Sequence, residues 1–381
     1  MKTAVLLLIL ICSILIGCKP GDEEIVFDDA DRIYISGGEF KVGGKRIWIN
    51  GANTPWNEWN EFGSTSSWNA YSDTWWNSHF IALRQAGINA TRVWINCNND
   101  NNAINIGTDG MVSGASAKHW EDVDKFFQTA ARNKIYIMAT LLSFDHFENE
   151  GSRPTAERWR NMIKSQAASV SFVQNYTIPF VERYKDNPYL WSIDIMNEPD
   201  WVNEEAACGN IPWNNISYFL ALNAAAIHEN SDILVTVGMA YPKWNVDGSG
   251  YEGNKISNSF LQNLYSNSKA YLDFWSPHYY DWVGPHYGVP FYVRPNGTRP
   301  GGWGLDSSKP SLIGESSAKG SAGNTIITDY EKAFENGWQG VMAWTSNGVD
   351  NNGNLSDMSP ATLYMLGKYR DLIFPLDDSS E

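Results

Sequence analysis

Apolar and polar positions along this chain follow two periods, and the switching between them predicts its elements. Residues 33–45 alternate every second position around two Gly-Gly pairs, the pattern of a small β-hairpin, which is expected to plug one end of a barrel. Short apolar runs of strand length follow at 46–53, 88–95, 135–142, 191–198, 233–239, 272–280, 310–315 and 340–344. Their nearly continuous hydrophobicity is that of strands covered on both faces, as in a parallel sheet. Between them lie stretches of helical period at 73–86, 118–133, 155–185 with a break near Pro179, 218–230, 328–336 and 361–372. Strands alternating with amphipathic helices predict βα units, and eight strands in this rhythm match one (β/α)8 TIM barrel with long loops better than two domains. No linker interrupts it. The stretch 241–269, rich in Gly, Asn and Ser, reads as a loop on the barrel's C-terminal face.

Two of these strands end in carboxylates. The run 191–198 closes in Asn197-Glu198-Pro199, where Pro199 cannot continue a ladder, and the run 310–315 closes in Gly314-Glu315. In a barrel both carboxylates emerge at the C-terminal mouth, where such folds place their chemistry, and face each other across the axis. Opposed carboxylates are the equipment of glycoside hydrolysis. One must hold a proton to give to the leaving oxygen, and the other must be ionised to attack or stabilise an oxocarbenium-like centre. Like-charge repulsion raises both proton affinities, and the more buried group keeps its proton.

Composition sharpens this picture. The 381 residues carry 18 Trp and 18 Tyr, well above ordinary usage, and flat rings stack on the apolar faces of sugars. The loop 54–62 presents Trp56, Trp59 and Phe62, candidates for sugar contact because a loop buries three rings with difficulty. A net charge of -15 and a pI near 4.8 argue against nucleic acid, which needs clustered Lys and Arg. A neutral polymer is the compatible partner, and a monomer is expected. No Cys or His spacing suits a metal, and no cofactor is expected.

The first residues form a separate unit. Lys2, an apolar run and Gly17-Cys18 make a targeting segment over 1–17, followed by an acidic tether over 18–31, leaving 32–381 for the barrel. Leu15-Ile-Gly-Cys18 resembles a bacterial lipobox, which implies cleavage before Cys18 and a diacylglycerol on its sulfur. That resemblance places the chain in a bacterial cell envelope, anchored by lipid, at the outer-membrane surface. Cys12 leaves with the leader, so Cys97 and Cys208 remain as possible disulfide partners.

The ordered set of strand ends resembles glycoside hydrolase family 5, whose acid/base follows the fourth strand and whose nucleophile follows the seventh. The resemblance implies that Glu198 is the acid/base, Glu315 the nucleophile and Asn197 the holder of the sugar 2-hydroxyl. It also implies roles for Arg92 in Thr91-Arg-Val-Trp94, which fixes the nucleophile, for His278 and Tyr280 beside it, for His146 after strand three and for Trp344 as the floor beneath the cleaved sugar. Residues 40–53 and the motif His278-Tyr-Tyr-Asp-Trp282 are similar to the family's β-mannanases, although those often have an Arg where this chain has Asp200. A retaining endo-β-1,4-glycanase acting on β-mannan or glucomannan is therefore expected, with an endo-β-1,4-glucanase as runner-up. An exo-acting β-glycosidase and a non-catalytic glycan-binding lipoprotein are the further alternatives.

Overall fold

A computed structural model describes residues 27–149, 155–247, 251–284 and 293–377. The targeting segment, Cys18 and most of the tether lie outside the described residues. The chain starts in a three-stranded antiparallel sheet of β1 (Tyr34–Ser36), β2 (Glu39–Val42) and β3 (Lys45–Arg46). Its two turns, Gly37-Gly38 and Gly43-Gly44, hold all four residues at positive φ, the geometry that matches strand twist in tight hairpins and that glycine adopts freely. Lys45 and Arg46 are thus a third strand of the plug, and the first barrel strand starts only at Ile49.

Eight parallel strands close a barrel in the order expected of βα units: β4 (Ile49–Asn53), β5 (Ala90–Trp94), β8 (Tyr136–Ser143), β9 (Leu190–Asn197), β10 (Leu234–Met239), β11 (Ser276–Tyr279), β12 (Ile313–Ser317) and β13 (Gly340–Trp344). Every expected barrel strand is present. Helices cover the outside: α1 (Asp73–Gln85), α2 (Ala117–Arg132), α3 (Thr155–Lys164), α4 (Gln166–Phe172), α5 (Ile178–Tyr184), α6 (Pro199–Glu204), α7 (Trp213–Asn230), α8 (Asn258–Tyr265), α9 (Ile326–Glu335) and α10 (Leu355–Ile373). Below the barrel, Ile33, Phe40 and Val42 of the plug pack on Ala90, Tyr136, Trp191, Leu234 and Leu312, which stand at or just before the starts of five strands. The plug therefore seals the N-terminal face and leaves the opposite mouth open.

Local chemistry explains where the sequence expectations shift. The break in 155–185 falls at Ser165, whose side chain caps Ala168 N–H, whereas Pro179 is carried through by a π-helical turn at Val173–Thr177. The last helix starts at Leu355 because Asn354 and Asp357 form a capping box, and Pro360 is carried inside it. The stretch 241–269 contains α8, capped by Ser257. A small hairpin, β6 (Ile104–Ile106) and β7 (Val112–Ala115), was not legible in the loop after β5.

Candidate active site

The strand register brings the expected residues to one end. Arg92 on β5, Asn197 at the end of β9, His278 on β11 and Glu315 on β12 are all buried side chains at the C-terminal mouth, with Glu198 directly after β9. Glu198 adopts a left-handed backbone (φ 47, ψ 55) and sits at the start of α6, so the chain turns sharply and leaves its carboxyl over the barrel axis. A carboxylate oxygen of Glu198, a nitrogen of His278 and a carboxylate oxygen of Glu315 all lie within 4.8 Å of one another.

Arg92 organises this group. Its Nη1 donates to Glu315 Oε1 at 2.5 Å and to Asn53 Oδ1 at 3.1 Å, while Nη2 donates to Asn197 Oδ1 at 2.7 Å. Nε and Nη2 both donate to Asp194 Oδ2, at 2.9 and 2.6 Å. Asp194 also accepts from Gly238 N–H and from Thr140 Oγ1, so each charge is satisfied in a fully buried place. The space these side chains occupy dictates glycine nearby: a Cβ at Gly238 would lie 2.6 Å from His278 Nε2 and 2.8 Å from Arg92 Nη2.

The two carboxylates differ in their partners. Glu315 receives the Arg92 guanidinium and, at Oε2, the Tyr280 hydroxyl at 2.8 Å. Burial raises its proton affinity, and His278, Arg92 and the Tyr280 hydrogen bond pull against that rise. Glu198 receives two neutral donors, His278 Nδ1 on Oε1 and Trp201 Nε1 on Oε2, each at 2.8 Å. Burial pushes it up to about 7. The fixed positive charge touches Glu315, so the shared proton belongs on Glu198 and the negative charge on Glu315. Burial lowers His278 to about 4, so the ring is neutral. Its Nδ1 faces both carboxylates while Nε2 has no partner among the described residues, which assigns the proton to Nδ1.

Above this group lies a cleft of about 230 Å³ lined by Trp56, Trp94, Trp344, Phe144 and Tyr280 together with Asp145, Asn197, Asp350 and the two glutamates. Trp344 and Trp94 meet edge to face at 5.3 Å, and Asp350 accepts from the Trp344 indole at 2.6 Å. Of the loop rings, Trp56 lines the cleft and Trp59 packs edge-on against it at 4.4 Å. Phe62 does not belong here: it is 3% exposed and stacks in the core against Trp76 and Phe126.

Two further expectations need correction. His146 is not among the residues that line the cleft: its Nδ1 accepts from Ser143 N–H at 3.1 Å and its Nε2 donates to Asn96 Oδ1 at 2.8 Å, so it braces the loop after β8. Burial lowers it to about 3. Asp200, whose identity bore on the choice of sugar, points away from the cleft. It is fully buried and accepts from Ala240 and Tyr241 N–H at 3.0 Å each, tying α6 to the end of β10. Cys97 and Cys208 are both free and buried, with no bridge between them.

Asp194, Asn53, Asp145 and Trp201 were missed. Asp194 had a signal, since a carboxylate in the middle of a strand covered on both faces requires a buried cation. The other three depend on loops and on tertiary register. Glu198, His278 and Glu315 have the spacing of a metal site. However, the hydrogen bonds from His278 and Arg92 already use the inward-facing atoms, and a guanidinium 2.5 Å from Glu315 would repel a cation there.

No protein-family model matches the chain. It is similar to a mannan endo-1,4-beta-mannosidase of Mytilus edulis, 25% identical over 350 residues that cover 85% of this chain and 90% of the relative. A mannan endo-1,4-beta-mannosidase of Cryptopygus antarcticus is 24% identical over 363 residues, covering 88% and 89%. Among solved structures, an endo-1,4-beta-mannanase from Eisenia fetida superposes with a TM-score of 0.75 at 20% identity, over 88% of this chain and 95% of that one. The likeness shows that the two share the (β/α)8 barrel.

Proposed function

We propose that this glycoside hydrolase is a retaining endo-β-1,4-mannanase. The observation that carries the mechanism is the pair of carboxylates, Glu198 and Glu315, with oxygens within 4.8 Å across the mouth and their charges set apart by Arg92. Retaining enzymes hold the two carboxyl groups about 5 to 5.5 Å apart, whereas inverting ones need about 6.5 to 9.5 Å to admit a water. In the first step Glu198 gives its proton to the glycosidic oxygen while Glu315 Oε2 or Oε1 attacks the anomeric carbon. In the second, ionised Glu198 takes a proton from water, which displaces Glu315. Arg92 and Tyr280 aim the nucleophile, and Trp344 with Trp94 and Trp56 offers ring faces to the sugars.

The choice of mannan rests on the relatives' activity over nearly the full length of both chains. Asp200 stands where β-mannanases often have Arg and turns into the fold, and on that difference the glucanase reading stays the runner-up. The tether and Cys18 support a lipid-anchored protein at a bacterial surface, a reading that a Cys18→Ala variant tests by loss of membrane partitioning and of lipid label.

The deciding experiment uses the chain from residue 19 onward on mannan, glucomannan and barley-type glucan. A ladder of short oligosaccharides from mannan is expected, with configuration retained at the new reducing end by NMR. A ladder from the glucan alone would favour the glucanase reading, and monosaccharide alone would favour exo action. A site that does not hydrogen-bond the hydroxyl at carbon two would discriminate between the sugars by no more than about a hundredfold.

A further inference from the structure

The acid carries a hydrogen bond that the two chemical steps do not require. Trp201 stands three residues after Glu198, on the single short helix α6, and its indole Nε1 donates to Glu198 Oε2 at 2.8 Å. An indole N–H can only donate, so the direction of this bond does not depend on protonation or tautomer. The ring is fixed by edge-on packing against Tyr241 at 4.9 Å and by Phe144 and Trp282 at 6.4 Å each. The left-handed turn at Glu198, followed at once by Pro199, folds the indole back over the carboxyl.

We infer that Trp201 is a positioning residue for this reaction: its N–H fixes the aim of the Glu198 carboxyl and stabilises the ionised form that the second step needs. The inference rests on the hydrolase reading above. A retaining enzyme asks one carboxyl to give a proton and then to take one, which works best when its proton affinity lies near the working pH. Around Glu198 the balance tilts toward too high an affinity. Burial raises it, and the carboxylates of Asp194 on β9 and Glu315 on β12 add negative charge nearby, whereas burial keeps Asp200 on α6 protonated to about 8 and holds Asp145 after β8 up to about 6. Tyr280 and Tyr241 are neutral phenols whose own ionisation is pushed up by burial, and His278 is neutral. Against these stand three groups: the Arg92 guanidinium, which is already committed to Asp194 and Glu315, the neutral His278 Nδ1–H on Oε1 and the Trp201 indole on Oε2. The indole touches Glu198 directly and lowers its proton affinity more than the Arg92 charge does.

The test replaces the indole by a ring that cannot donate. Trp201→Phe keeps most of the packing, and the alkaline limb of kcat/KM on mannan is expected to move up by about one pH unit, as the loss of one hydrogen bond to a charged group implies. Turnover of an activated aryl glycoside, whose first step needs no acid, is expected to slow at neutral pH, because Glu198 then stays protonated when water must be activated. A carboxyl 13C titration of Glu198, assigned with Glu198→Gln, reads the same shift without any substrate. Should the chain fail to hydrolyse mannan, the hydrolase reading falls while this titration still judges Trp201. Trp201→Met gives a second variant without a donor in case the Phe variant folds poorly. An unmoved Glu198 titration in folded variants, with or without lost activity, overturns the inference.

Discussion

Arg92 and Glu315 are joined across the barrel mouth by a 2.5 Å charge-assisted hydrogen bond, and the same guanidinium is forked onto Asp194. One cation thus holds both the proposed nucleophile and a carboxylate buried in the strand layer. Replacing Arg92 by Met leaves both buried charges unpaired, and chemical denaturation is expected to register a loss of about 3 to 5 kcal/mol of stability. Arg92→Lys keeps a charge but cannot fork. It is expected to fold and to lose on the order of a hundredfold in kcat through misplaced Glu315. Near-normal kcat in the Lys variant would show that charge alone suffices.

The two glutamates are expected to fail differently. Glu315→Gln should abolish turnover of every substrate, since it removes the carboxylate that is proposed to attack. Glu198→Ala should cost about a hundred- to ten-thousandfold on polymer. It should nevertheless still form the glycosyl-enzyme from an aryl glycoside with a good leaving group, which burst kinetics and mass spectrometry of Glu315 can follow. Equal loss on both substrates would remove the acid role.

Asp350 is expected to matter through Trp344, whose indole it accepts at 2.6 Å. Asp350→Ala frees the ring to rotate, and losing one such bond, worth about 1 kcal/mol, should raise KM roughly fivefold with kcat little changed. A fall in kcat at constant KM would place Asp350 in the chemistry instead.

Stability should fall as pH rises from about 6.5 to about 8, above the range where the buried neutral histidines His79, His119, His146 and His278 oppose the trend. Burial raises Glu61 and Asp200 each to about 8, and Asp145 to about 6, all above their ordinary values. Below pH 4 both the folded and the unfolded chain hold these protons. Above there the unfolded chain has released them while the folded chain keeps them, Asp145 to about 6 and Glu61 and Asp200 to about 8, so on their account folding binds protons and loses stability with rising pH. Calorimetric melting at pH 6.5 and pH 8 checks this, and a Tm that rises across the window would contradict it.

The barrel was legible because its strands are covered on both faces and their apolar runs carry little ambiguity. The positions of Glu198, Glu315, Arg92, His278, Tyr280 and Trp344 were legible for a related reason: strand ends fix where a side chain emerges. What lay beyond the strands was harder to read. Phe62 looked exposed because its loop is polar, yet a partner in α1, Trp76, draws it inward. His146 sits beside cleft residues in sequence, but the turn after β8 points its ring at Asn96. Trp201 belongs to a one-and-a-half-turn helix set up by a left-handed glutamate, which no periodicity can announce.

The plug beneath the barrel has a consequence for how the molecule stands. It brings residues 33–46 against the strand starts, so the polypeptide leading in from the N-terminus arrives at the face remote from Glu198 and Glu315. The two ends of the barrel therefore serve separate tasks: one is closed by apolar packing against the strand starts, and the other stays open above the two glutamates, so nothing that enters the cleft passes the plug.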